Sequence, residues 1–287
     1  MSSTHVLRLR LAPWALLLVS ASWGLAFVVM KDAIERQSVN SFLFSRFSLA
    51  VVVMLLIKPS VLKAINREVL RKGFIAGLFL AAGYILQTLG LALTGAAITG
   101  FITGLYIVVT PLLASLLLKE RVTRFTWGCV AIATVGLALL SLKGWSLGFG
   151  EFLVFLCAIA FAAHIIDLSH WSNGLDAYAM TIVQLATCAL ATGVISFAQG
   201  YKVPPDATVW WVVIYTAVFS TAVAFVVQTW SQAHMSATKV AVILTMEVVF
   251  AALFAVIFGG ETLSLRALIG GVLVMAAMFM IVLKEGK

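Results

Sequence analysis

Few side chains within the long apolar stretches of this chain could do chemistry. Glu247 stands near the middle of the run 238–258 and is the carboxylate placed nearest a bilayer midplane. A carboxyl there can take up and release a proton or act as counter-charge to an amine. It can equally lock helices together through a hydrogen bond. Arg46 lies in the outer third of the run 40–57. Its guanidinium can snorkel to the interface, or face a cavity and meet a carboxylate. His164, Asp167 and His170 follow one another at i, i+3 and i+6. The first two share a helix face, where they form either a pH-sensitive gate or ordinary polar residues near the membrane surface. A metal would need a further ligand, and His234 is the only other histidine near the inner ends of the runs. Cys129, Cys157 and Cys188 lie inside apolar runs with no CxxC spacing, which points to neither a zinc site nor a disulfide framework.

A denser set of polar residues is uncharged: Tyr84, Gln87, Thr88, Thr99, Thr103, Tyr106, Thr110, Thr221, Gln228, Thr229 and Thr245. In lipid such groups must face protein or water. Part of the set bonds helix to helix, at about 0.6 kcal/mol each. Their concentration in four runs points further, to a lined central cavity. Tyr84 and Gln87 are spaced i, i+3, as are Thr103 and Tyr106, so each pair presents one surface. Trp23, deeper than the interfacial tryptophans, is a candidate wall that stacks on an aromatic ligand or meets an amine by a cation–π contact. The candidate ligand contacts are therefore Trp23, Tyr84, Gln87, Thr88, Thr103, Tyr106, Gln228, Thr245 and Glu247. Arg46, His164, Asp167 and again Glu247 are the candidates for gating or coupling.

The elements that must position these residues follow from composition. Of 287 residues, 63% are hydrophobic and 10% charged, and mean hydropathy is +1.12. Soluble domains are about half apolar and a quarter charged. That excludes a soluble enzyme, a disordered chain and a disulfide-stapled secreted domain. Apolar runs fall at 12–31, 40–57, 73–93, 97–118, 125–142, 150–168, 178–197, 208–231, 238–258 and 265–283. Each is near the length of about 20 residues that a helix needs to cross the hydrocarbon core. Period-2 alternation is absent, so the expectation is an all-α polytopic membrane protein with ten transmembrane helices and no soluble domain. The run after Arg8 and Arg10 is long enough to be a retained first helix instead of a signal peptide. The net charge of +8 is dispersed through short loops, which fits a positive-inside bias and not nucleic-acid binding. Placing the N-terminus inside puts thirteen Lys and Arg on that side and five outside, with Arg46 within a span. Both termini are thus expected in the cytoplasm of a bacterium, with the chain in its inner membrane.

The chain also repeats itself. Gln87-Thr88 recurs as Gln228-Thr229, and Glu120 as Glu261, both 141 residues apart. Trp23 corresponds to Phe161, and Arg46 to Gln184, at a spacing of 138. Two five-helix halves follow, 1–143 and 144–287. Five is odd, so the second half enters from the opposite face, as in the inverted-topology repeats of many carriers. Gly73-xxx-Gly77, Gly100-xxx-Gly104 and Gly270-Gly271 are expected to bring backbones together within each half, with homodimerisation as the alternative. Glu120 and Glu261 read as loop anchors.

Several pieces, in order along the whole chain, carry a family resemblance. They are Ser22-Trp23-Gly24, Arg46, Ile102-Thr103-Gly104-Leu105-Tyr106 through Pro111-Leu112-Leu113, and Lys119-Glu120-Arg121. The second half adds Met246-Glu247-Val248-Val249-Phe250-Ala251-Ala252 and Gly260-Glu261-Thr262. Together they resemble the drug/metabolite transporter superfamily, as two tandem EamA-type domains closest to the bacterial amino-acid exporter branch. The resemblance implies a secondary permease or exporter of small organic solutes, monomeric or homodimeric and without cofactor. A cavity of tyrosine, threonine and glutamine with few fixed charges favours neutral or aromatic amino acids carried by alternating access. A channel-like facilitator, or an exporter of other amphiphiles or drugs, is the alternative. Val248 stands where the family usually has proline, which implies a straighter ninth span. Acid–base partners are scarce inside the runs and neither HExxH nor a P-loop occurs, so a membrane enzyme or direct ATP coupling is not expected.

Overall fold

The computed structural model describes residues 3–93, 96–119, 121–141, 148–259 and 264–285. All regular structure among them is helical. The helices are α1 (Ser3–Arg36), α2 (Val39–Ile57), α3 (Arg67–Leu93), α4 (Ala96–Gly104), α5 (Tyr106–Leu117), α6 (Arg124–Ser141) and α7 (Phe149–Trp171). There follow α8 (Ala177–Ala198), α9 (Ala207–Ala217), α10 (Ala224–Gln232), α11 (Ala237–Leu244), α12 (Met246–Gly259) and α13 (Leu265–Glu285). Seven helical stretches among the described residues are long and apolar enough to cross a membrane, and Ile102–Leu117, Arg124–Leu139 and Leu265–Ile281 are shorter apolar ones. Leu18, Leu56, Leu116, Leu190, Phe197 and Leu283 stand exposed on the outside, a surface that suits lipid and not water.

Three of the apolar runs are not single α-helices. The run 208–231 passes from α9 to α10 through a π-helical turn, Val218–Val223. The run 97–118 breaks at Leu105, between α4 and α5, and the run 238–258 breaks at Thr245, between α11 and α12. The straighter ninth span expected from Val248 is therefore corrected: proline is not needed for the break. Val248 N–H reaches back only three residues, to the Thr245 carbonyl (3.2 Å), as Val108 N–H does to Leu105 (2.9 Å). The Thr245 hydroxyl also donates to the Ala241 carbonyl (2.8 Å), competing for the acceptor of its own backbone N–H.

The packing is pairwise. α2 lies on α8, α6 on α13, α3 on both α7 and α8, and α1 on α12. One apolar cluster forms around Ile107, Leu137, Leu244 and Val274, and a second around Phe42, Phe47, Leu185 and Val213. Trp23 and Phe161 touch both clusters, so the space beside them lies where the two meet. Gly104 packs within its own half as expected, against Leu137 of α6, but the other glycine pairs do not. A Cβ on Gly77 would lie 2.7 Å from Thr187 Cβ and 2.8 Å from the Gln184 carbonyl, so this contact joins α3 to α8 and not two helices of one half. Gly270 likewise faces across to Gly136 on α6. Small residues are used where these helices distant in sequence meet, because close van der Waals contact is a main force holding helices together in lipid.

Two expected outcomes follow. A Cβ on Gly24 would meet Phe250 Cβ at 2.6 Å and Ala251 N at 2.7 Å, and backbone cannot give way cheaply. Gly24→Ala should cost about 1–3 kcal/mol, whereas Gly128→Ala, with nothing within 4 Å of the added atom, should stabilise by about 0.5–1 kcal/mol. Thermal melts in detergent would show the two shifts with opposite signs. At the start of α8, burial pushes the Asp176 carboxyl up, but the Ala179 N–H (2.9 Å) and the Lys58 ammonium (3.4 Å) outweigh it and hold it below its ordinary value. Its contribution is complete above the ordinary carboxylate range and lost as pH falls through the lowered folded value. Asp176→Ala should cost about 0.5–2 kcal/mol near neutral pH, and the difference from the parent melt should vanish in acid.

Candidate functional site

A cavity of about 600 Å³ lies where the two apolar clusters meet. Its wall runs from buried Ile165 and Leu244 to exposed Glu35 and Ala92. The size is that of small-molecule sites, about 300–1,000 Å³. Helices α1, α2, α3, α4, α7, α10, α11 and α12 contribute to it, together with Tyr106 at the start of α5.

Arg46 is the centre of its polar wall. It is 2% exposed and does not snorkel to the interface. Its Nε donates to Thr221 Oγ1 (2.6 Å), and one Nη donates to the Ser220 carbonyl (3.1 Å) and, at 3.5 Å, to the Tyr84 hydroxyl. Among the described residues the other Nη has a hydrogen-bonding contact only with the Met30 sulfur, at 3.5 Å. The guanidinium also stands 5.1 Å from the Tyr84 ring centre. Ser220 lies in the π turn, where the backbone register shifts by one residue and carbonyls lose their usual partners. Its carbonyl accepts a second bond, from the Trp23 indole N–H (2.8 Å). The π turn thus orients both Trp23 and Arg46.

Four rings meet nearby. Trp23 lies against Phe225 (5.4 Å between centres), and Tyr84 against Phe161 (5.5 Å) and Phe225 (6.3 Å), the Tyr84 contacts edge-on. Gln87 donates to Thr103 Oγ1 (3.2 Å), tying α3 to α4. Glu247 is half-buried in the wall, in the first turn of α12. Among the described residues nothing bonds its carboxyl, and no ion pair joins it to Arg46.

The structure brings together Trp23, Tyr84, Gln87, Thr88, Thr103, Tyr106, Gln228, Glu247, Arg46 and His164 on one cavity. Thr245 and Asp167 do not belong to it. Thr245 is fully buried and its hydroxyl bonds back within its own helix. Asp167 lies off the cavity wall, with a buried Oδ2 that has no hydrogen-bond partner among the described residues. His164 is not interfacial: it is buried at the closed end, with its Nε2 2.8 Å from Gln184 Oε1, so the pairing with Asp167 on one gate is not formed. Thr88 lines the wall, but its hydroxyl donates to the Tyr84 carbonyl (2.6 Å). Glu120 and Glu261 lie outside the described residues. The pentapeptide Gly144-Trp145-Ser146-Leu147-Gly148 spells GxSxG, and its residues 144–147 lie outside the described residues. Sequence reading missed Phe27, Met30 and Phe225 as wall residues, and Ser220 as the shared acceptor. Phe225 carried a signal, since it stands 141 residues after Tyr84. A π turn has none.

Comparison with known proteins agrees with this architecture. The model of the EamA-like transporter family matches the chain twice, at residues 10–142 and 148–283. The chain belongs to the EamA-like transporter family. An "Uncharacterized transporter" of Archaeoglobus fulgidus is 32% identical over 275 residues, covering 95% of this chain and 86% of that one. A crystal structure at 18% identity shares the fold, with a TM-score of 0.76 over 96% of this chain and 97% of the other. The protein is accordingly a multi-pass membrane transporter.

Removing the Arg46 acceptor tests the polar wall. Thr221→Val should lower stability by about 1–3 kcal/mol, because it strands a buried charged donor. Thr221→Ser should restore most of the loss in the same thermal melts.

Proposed function

We propose that this EamA-family protein is a secondary transporter of small amphiphilic metabolites, working by alternating access around the central cavity. The observation that carries this reading is the composition of the cavity wall: paired positions from the two halves of the chain surround one space. Tyr84 and Phe225, Gln87 and Gln228, Thr103 and Leu244, and Tyr106 and Glu247 all line it, and each pair is 141 residues apart. Trp23 and Phe161, and Ala26 and His164, line it at the 138-residue spacing. Such pairing is what two inverted five-helix repeats, 1–143 and 144–287, would produce around a pseudo-two-fold axis. The breaks at Leu105 and Thr245 fall within one residue of matching places in the two halves, and α2 on α8 and α6 on α13 are contacts of a helix with its own counterpart. The seven long and three shorter apolar stretches supply the ten spans this architecture needs.

With the N-terminus in the cytoplasm, the C-terminal ends of α1 and α3 face outward, so Glu35 and Ala92 mark an outer mouth. At the other end, Gln232 Nε2 donates to the Ile165 carbonyl (2.7 Å) and Ser20 Oγ to the Ile243 carbonyl (3.3 Å), tying the helices together. The arrangement is that of an outward-open carrier with its inner side closed.

Counterflow in proteoliposomes tests the reading. A carrier should exchange at least one class of small amphiphile saturably, without an imposed ion gradient. Linear, non-saturating flux with no counterflow would replace the carrier with a channel. Because Cys129, Cys157 and Cys188 are buried, Glu35→Cys should be the sole site labelled by a membrane-impermeant thiol reagent, and only from the outer face.

A further inference from the structure

We propose that the cavity is a receptor for a zwitterion, with Arg46 holding the carboxylate of the solute and Glu247 its ammonium group. This deepens the transporter reading and rests on it. Arg46 is a buried cation with no carboxylate beside it among the described residues, and its Nη1 has only a thioether for company. A buried charge left so is costly unless a counter-ion completes it. Glu247 is the complementary case. It lines the same space, with no hydrogen bond to its carboxyl among the described residues, at the N-terminal end of α12, where the helix dipole favours negative charge. Both groups line the one cavity, yet no ion pair closes between them.

A solute bearing one charge completes one wall and leaves the other bare. An amine alone meets Glu247 but is repelled by Arg46, and a carboxylate alone meets Arg46 but is repelled by Glu247. A solute with both charges satisfies both at once, and its apolar part then lies on Trp23, Phe161 and Phe225, which line the same space. Glu35 carries the third fixed charge, but it stands exposed at the mouth, where water screens it. The sites differ in strength as well. Arg46 is braced by Thr221 and the Ser220 carbonyl and presents a fixed fork to a carboxylate, whereas no side chain among the described residues bonds to Glu247.

Matched solutes decide the matter in counterflow with the wild-type protein, so that a misfolded variant cannot mask the result. The probes are alanine, leucine and phenylalanine, the amine of each lacking the carboxylate, and the acid of each lacking the ammonium. At least one amino acid should exchange about tenfold or more faster than both of its half-charged analogues. Arg46→Gln should then narrow the gap between that amino acid and its amine, Arg46→Lys should widen it again, and Glu247→Gln should narrow the gap to the acid. An amine or an acid exchanged as fast as its amino acid overturns the clamp and leaves the carrier standing. Failure of all three amino acids while another solute class exchanges does the same. No exchange of any solute by folded protein overturns both the clamp and the carrier.

Discussion

The hydrocarbon core of a bilayer supplies no hydrogen bonds, so each backbone N–H and C=O within it must find its partner inside the protein or at an internal water-filled space. This constraint accounts for where the chain departs from the regular helix. The π turn at Val218–Val223 and the breaks at Leu105 and Thr245 all abut residues that line the cavity, such as Phe225, Tyr106 and Glu247. In the π turn the Ser220 carbonyl becomes the common acceptor for the Trp23 indole and the Arg46 guanidinium. A regular helix would use that carbonyl itself. The irregular turn is therefore what allows an arginine to be buried there, and it couples α1 and α2 to the α9–α10 region through one atom.

Burial of Arg46 also sets the surroundings of the cavity. Thr221, Tyr84 and the faces of Phe47 and Tyr84 stand in for the water that the guanidinium has lost. The rings do double duty, since the contacts of Trp23 with Phe225 and of Tyr84 with Phe161 and Phe225 keep the wall stiff at the junction of the two apolar clusters. Glycines on the helix contacts let the frame close around this point: Gly24 brings α1 against α12, and Gly77 brings α3 against α8. On the proposed function, a site of fixed dipoles and rings on rigid helices would discriminate solutes by their chemistry.

The paired wall positions carry a second lesson. Where the counterparts are alike in character, as with Gln87 and Gln228 or Tyr84 and Phe225, the cavity is nearly symmetric. At two positions where the halves differ, one of them carries a charge. Arg46 corresponds to Gln184, which is buried against His164, and Glu247 corresponds to Tyr106. On the proposed repeat, the polarity of the site thus arises from substitutions that set the two halves apart.

Much of this was legible in one dimension. Apolar runs of spanning length, the two glutamine–threonine pairs and the rarity of intramembrane charge are written in residue type and spacing, because the bilayer imposes length and hydropathy directly on the chain. The same logic nominated Arg46, Glu247, Trp23 and most of the tyrosines and glutamines of the wall. Residue type does not tell which way a hydroxyl turns. Thr245 and Thr88 look alike in the sequence, yet one is buried away from the cavity and the other lines it while bonding to its own helix. Asp167 and His164 are one helical turn apart, yet a small difference in angle about α7 puts only His164 on the cavity. The π turn, the break at Thr245 without a proline, and the use of Gly77 and Gly136 between distant helices were decided by tertiary structure alone. Each depends on what a neighbouring helix offers as a hydrogen-bond partner or a packing surface, and that is set by contacts between residues far apart in the chain.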